Sequence, residues 1–155
     1  EWWDDPHNDD DRFARSRVRT KVLPLLEQEL GPGVADSLTR TASLFRQDSE
    51  ALDGFAQACI SEHVDAETVG QRSVGVEILL EHSSAISSRV LRSMVIAVGG
   101  GPPSFAQMNQ IHGLLIQWRG QSAIDLSGAT LERVEGRIVV KARTPKAVKG
   151  IRRGL

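Results

Sequence analysis

Two runs of glycine and proline limit what this chain can build. Gly31-Pro32-Gly33 and Gly99-Gly100-Gly101-Pro102-Pro103 each stop a helix. Proline has no amide to continue the ladder, and glycine takes up the reversed backbone that follows a helix. Before the second run the apolar residues recur mostly at helical spacing, and after Ser122 they recur every second residue. Such a chain reads as α+β: a helical segment, then a small domain of a strand, two helices and an antiparallel hairpin sheet. The expected divisions are 1–65, 66–145 and a basic tail, 146–155.

The first helix is expected from about Asp9 to Leu30, with Pro6, Asn8 and Asp9 as capping residues and Pro24 as a kink or split. A second helix should run from Val34 to His63. Leu38, Phe45, Leu52 and Cys59 recur every seven residues, and Ala42, Phe55 and Ala56 fill the intervening turns. Residues 64–72 read as a loop. Ser73–Leu79 alternates and is rich in β-branched residues, which predicts a strand. Ser83 or Ser84 can open the next helix. Ser104 and Gln107 form a capping box for the one after it, with Gly120 placed as its C-terminal cap. That helix should bury Phe105, Met108, Ile111, Leu115 and Trp118. Ala123–Leu126 reads as a strand. Thr130–Val134 and Arg137–Lys141 read as a hairpin turning at Glu135-Gly136.

The formal net charge of -1 hides a strong asymmetry along the 155 residues. Residues 1–11 hold six acids, whereas residues 12–21 hold five bases and no acid. Residues 27–67 hold nine acids against Arg40 and Arg46, so that stretch repels nucleic acid. Residues 136–155 hold no acid and seven bases. Cys59 is the single cysteine, which fits a reducing cytoplasm, and no apolar run is long enough to span a membrane. The chain opens Glu1-Trp2-Trp3 without an initiator methionine, so a fragment of a longer protein is expected.

The stretch Asp5-Pro6-His7-Asn8-Asp9-Asp10-Asp11-Arg12-Phe13-Ala14-Arg15-Ser16-Arg17-Val18-Arg19 resembles a motif of the tRNA(Ile)-lysidine synthetases, D-P-S-N-x-D-x-x-F/Y-x-R-N-R-I/L/V-R. Asp5, Pro6, Asn8, Asp10, Phe13, Arg15, Arg17, Val18 and Arg19 fall on the pattern, while His7 and Ser16 replace its serine and asparagine. Leu23-Pro24, Arg40-Thr41-Ala42, Ser88–Arg92, Trp118-Arg119-Gly120 and Asp125–Gly128 follow in the family's order. The resemblance implies a C-terminal portion of an ATP-dependent C–N ligase. That enzyme joins lysine to the wobble cytidine of an isoleucine tRNA, through an adenylated intermediate and release of pyrophosphate. It implies ATP and Mg2+ in the full-length enzyme, with tRNA(Ile), lysine and a missing N-terminal catalytic domain as partners. The family's S-G-G-x-D-S phosphate loop is absent from this sequence, and Gly99–Gly101 is followed by two prolines without amides. The fragment alone is therefore expected to bind no cofactor and to be inactive.

Asn8, Asp10, Arg15, Arg17 and Arg19 are the candidates for a pocket wall. On a regular helix Arg15 and Arg19 share a face and Arg17 points away. One face can meet phosphate while the other pairs with Asp9 or Asp10; the alternative is a salt-bridged helix start that Asn8 and Asp10 merely cap. Phe13 should lie near neither arginine face. Arg89, Arg92 and Arg119 either form a tRNA-facing patch or are ordinary solvated charge. The tail from Lys141 and Arg143 to Arg153 either tracks tRNA phosphates or is a solvated end. Trp2 and Trp3 either pack against the missing domain or stack a base. The four histidines and Cys59 lack metal-ligand spacing, and Cys59 should be buried and inert. Competing readings are a stand-alone RNA-binding module and a helical protein-interaction domain, with homodimerisation through the acidic helix.

Overall fold

The computed structural model describes residues 12–66 and 68–143. The chain divides into two compact units at Glu50 and Ala51, within one long helix.

In the first unit, α1 (Ala14–Arg17) runs through a π-helical turn (Val18–Val22) into α2 (Leu23–Leu30). Arg12 and Phe13 are not helical, so the helix begins at Ala14 and not at Asp9. The expected caps Pro6, Asn8 and Asp9 lie outside the described residues. Pro24 sits in the first turn of α2, immediately after the widened turn. A proline cannot serve the carbonyl four residues before it, and a π turn lets the amide one residue further on do so.

Helix α3 spans Val34–His63, as expected. Its start is held by Glu27, whose carboxylate accepts from the amides of Gly33 at 2.6 Å and Ala35 at 2.8 Å. The Ala35 amide is the main reason the Glu27 carboxyl lies below its ordinary value of 4.5; desolvation opposes it, and the Gly33 and Val34 amides add smaller lowering contributions. The heptad stripe on α3 is only partly buried. Ala56 and Cys59 are buried and Leu52 is half-buried, but Leu38, Phe45 and Phe55 are exposed. Periodicity predicts a buried face only if a partner covers it.

In the second unit, β1 (Gln71–Gly75) leads into α4 (Val76–Glu81). The expected strand Ser73–Leu79 therefore stops at Gly75. Val76 and Leu79 are both buried, which an i, i+3 helical spacing satisfies and a period of two does not. Glu77 folds back over Gly75, where a Cβ would stand 2.2 Å from its carboxylate oxygen. Helix α5 (Ser84–Ala97) starts at Ser83. Its Ser87 hydroxyl donates to Leu79 O at 2.6 Å, tying α5 to α4. Beyond Val98, Gly99 takes φ 90°. The amides of Gly99 and Gly100 then close on Ile96 O and Val95 O, a Schellman stop.

Helix α6 (Phe105–Ile116) carries the expected capping box of Ser104 and Gln107. It ends at Gln117, so Gly120 is not its cap. It buries Met108, Ile111, Leu114 and Leu115. Phe105 is 82% exposed, and Trp118, beyond the helix, is 38% exposed, against the expectation that both are core. The small domain thus has three helices, not two.

Strands β2 (Ile124–Leu126), β3 (Ala129–Val134) and β4 (Arg137–Ala142) complete one antiparallel sheet of order β1-β4-β3-β2. The β3–β4 turn has φ 48° at Glu135 and 76° at Gly136, the mirror-image turn that matches strand twist. Val74, Leu126, Ala129, Leu131, Ile138 and Val140 fill the inner face and meet Val90, Leu91, Met94, Val95 and Ile111 in one core.

The Glu27 cap gives a pH test. The folded carboxyl is lowered, so its contribution is complete above 4.5 and is lost as pH falls through the lower folded value. Hydrogen exchange at the Gly33 and Ala35 amides should accelerate across that acid window, relative to its intrinsic rate. In Glu27→Gln these amides should show weaker protection at neutral pH and no such transition.

Candidate nucleic-acid interface

The candidate arginines of the first helix stand where its geometry changes. The Arg15 guanidinium lies 5.4 Å from the Phe13 ring centroid, a cation–π contact that corrects the expectation of Phe13 near neither arginine face. Arg17 donates to Arg12 O at 3.0 Å. Arg19 falls inside the π turn, which adds a residue between Arg15 and the next turn, so the two do not keep simple α-helical register. Ser16, at the motif's asparagine position, is 1% exposed, and its hydroxyl has no hydrogen-bond partner among the described residues. It is the one buried residue of the described part of this unit. Asn8 and Asp10 lie outside the described residues.

In the second unit the cations sort by whether an acid meets them. Arg89 Nε donates to Asp53 Oδ1 at 2.7 Å, and Lys141 Nζ to Glu132 at 2.7 Å. Arg143 lies 3.6 Å from Asp125. Arg137 pairs with Asp65 and donates to Ser73 Oγ. Arg92 and Arg119 have no acid partner among the described residues. Arg89 and Arg92, one turn apart, have different surroundings. Arg89 turns to Asp53 on α3, whereas Arg92 lines a groove between α5 and α6.

That groove encloses about 570 Å3. Ser88, Arg92, Phe105, Asn109, His112 and Ile116 are among its walls. Ser88 Oγ and His112 Nε2 meet across it at 2.7 Å. The expectation that Phe105 is core hides this groove in the sequence. The available signal was the spacing: Phe105, Asn109, His112 and Ile116 fall on one helical face that mixes apolar and polar groups. A second groove of about 430 Å3, between α6 and β2, has Asp125 but no cation in its lining, so it suits phosphate poorly.

Three further features bear on chemistry. The amides of Gly99, Gly100 and Gly101 donate to Ile96 O, Val95 O and Ser127 O, so this glycine run presents no free amide to a phosphate. Cys59 is buried, and burial, with the nearby Glu62 charge, raises its thiol pKa, which disfavours the thiolate. Arg133 was also overlooked in the sequence. It donates to Leu114 O at 2.8 Å and Leu115 O at 3.2 Å, closing the end of α6, with its guanidinium 5.3 Å from the Trp118 ring. No group of three or more metal-ligating side chains occurs among the described residues. No helix among them is long and apolar enough to cross a membrane.

Residues 76–139, from α4 into β4, match the family described as the TilS substrate binding domain. The tRNA(Ile)-lysidine synthase of Leifsonia xyli is 40% identical over 92% of this chain and 43% of its own length. The enzyme of the same name from Rhodococcus erythropolis is 39% identical over 96% of this chain and 43% of its own. That from Thermobifida fusca is 39% identical over 90% and 43% respectively. The chain therefore spans less than half the length of the curated relatives it matches.

The Arg133 contact predicts a stability effect. Arg133→Ala should destabilise by about 1–2 kcal/mol, from lost charge-assisted hydrogen bonds and the ring contact. Urea unfolding followed by tryptophan fluorescence reads this directly. An unchanged midpoint would show that the two carbonyls are equally well served by water.

Proposed function

We propose that this chain carries a domain of the TilS substrate-binding family and is the tRNA-binding part of a tRNA(Ile)-lysidine synthetase. The whole enzyme would use ATP, with Mg2+, to join lysine to the wobble cytidine of an isoleucine tRNA. The observation that carries this reading is that the family match lies within one folded unit: residues 76–139 run from α4 to the first half of β4. The motif at Asp5–Arg19 supports the same assignment.

Within this reading the two units have different tasks. The second holds and orients RNA, with Arg92 and Arg119 as those of its candidate cations that have no acid partner among the described residues. Its other candidate cations are held by acids that fix their positions, and they meet phosphate only by sharing or leaving that partner. The first unit exposes Phe13, Val18, Val22, Leu25, Leu30, Leu38, Leu44 and Phe45. That much apolar surface supports a protein partner, and the ATP-binding domain of the enzyme is the one this reading names. Adenylation would belong to that domain, since the Gly99–Gly101 amides are committed elsewhere. The cytoplasm is where such an enzyme would meet its tRNA.

The test is a titration of this chain with an isoleucine tRNA transcript over a range of salt. Log affinity should fall linearly with log salt, and Arg92→Ala and Arg119→Ala should each reduce the slope by about 1 if each neutralises one phosphate. Lys141→Ala and Arg143→Ala should change it less. Absence of salt-dependent binding by the parent chain would contradict the reading.

A further inference from the structure

Phe105 is the residue that the core does not explain. It sits in the first turn of α6 and is 82% exposed. At the far end of the same face Ile116 is 68% exposed, while Met108 between them is 6% exposed and forms a floor. Opposite, Ser88 and Arg92 are one turn apart on α5. The groove between the helices thus has an aromatic rim, an apolar floor, an amide at Asn109, a fixed Ser88–His112 hydrogen bond and a guanidinium without an acid partner among the described residues.

We infer that this groove receives one unpaired nucleotide of the bound RNA, with the base stacked on Phe105 and the phosphate at Arg92. The argument is chemical. A base has two apolar π faces and a polar edge, and the groove supplies a ring for the face. Asn109 offers both a donor and an acceptor for the edge. The Ser88–His112 pair adds a second polar point that can present either sense, because hydroxyl and imidazole both donate and accept. Arg92 supplies the charge that phosphate requires, and its planar fork can engage two oxygens. A paired base hides its faces in the stack, so only an unpaired one can enter. His112 has no carboxylate partner among the described residues to orient it as a base, so the Ser88–His112 pair is read as recognition and not as nucleophilic catalysis.

This inference rests on the RNA-binding reading above, and the experiment separates the two. The chain and its Phe105→Leu, Phe105→Tyr and Asn109→Ala variants are titrated with the isoleucine tRNA transcript, a single-stranded adenosine decamer and a blunt RNA duplex. Phe105→Leu keeps apolar bulk without the ring and should weaken binding of tRNA and decamer roughly tenfold. Phe105→Tyr should retain affinity, Asn109→Ala should weaken the single strand, and no variant should change duplex binding. Melting temperatures should stay at the parental value, because Phe105 is exposed. Parental tRNA affinity in Phe105→Leu overturns the groove alone. An equal loss on duplex also overturns it, since stacking is then not what was removed. A parent chain that binds none of the three RNAs overturns both readings.

Discussion

The antiparallel pairing of Gln71–Gly75 with Arg137–Lys141 is the contact on which the second unit depends. It joins two segments that lie on either side of three helices and a hairpin, so forming it closes a long loop. Several local bonds reinforce the closure. Val76 N–H donates to Gly136 O, Ala142 N–H donates to Gly70 O, and Arg137 reaches across to Asp65 and Ser73. Once β1 and β4 are paired, α4, α5 and α6 have one sheet face against which to bury Leu79, Leu91, Met94 and Ile111. The α5–α6 groove follows from that packing, because the helix faces turned away from the sheet carry Arg92, Phe105 and Asn109. A recognition surface built on helix faces of a sheet-backed unit is more rigid than one built on loops.

Charge has been placed with the same selectivity. Arg89, Arg137 and Lys141 each meet a carboxylate at bonding distance, and Arg143 lies near one. Such surface pairs contribute about 0–1 kcal/mol each, so their effect is more on position than on stability. Arg92 on α5 and Arg119 beyond α6 have no acid partner among the described residues, and neither do Arg72 on β1 and Arg133 on β3, which donate to backbone carbonyls. The acidic helix α3 is opposite in character and is a poor surface for phosphate.

Much of this was legible in the sequence. The limits of α3 followed from Gly31-Pro32-Gly33 and the loss of helical spacing after His63. The capping box at Ser104 and Gln107 and the turn at Glu135-Gly136 were legible because each is a local arrangement. The errors came where tertiary context decides. Ser73–Leu79 has the composition of a strand throughout, yet its second half is helical because Val76 and Leu79 must both reach one core. Phe105 and Trp118 have apolar side chains, but position on the helix and the early stop at Gln117 leave them outside. The groove was hidden for that reason. The pairing of Arg89 with Asp53 joins two helices and leaves no mark in spacing. The similarity at Asp5–Arg19 pointed to a family, while the roles of its residues depend on surfaces that spacing does not reveal.

In the proposed function the second unit presents α5 and α6 to RNA, and α3 does not take part. Hydrogen–deuterium exchange of the protein with and without isoleucine tRNA tests it most directly. Bound tRNA should slow exchange within Ser84–Ala97 and Phe105–Ile116 and leave exchange along the exposed length of α3 as in the free protein. Slowing confined to α3, with both groove helices unaffected, would contradict it.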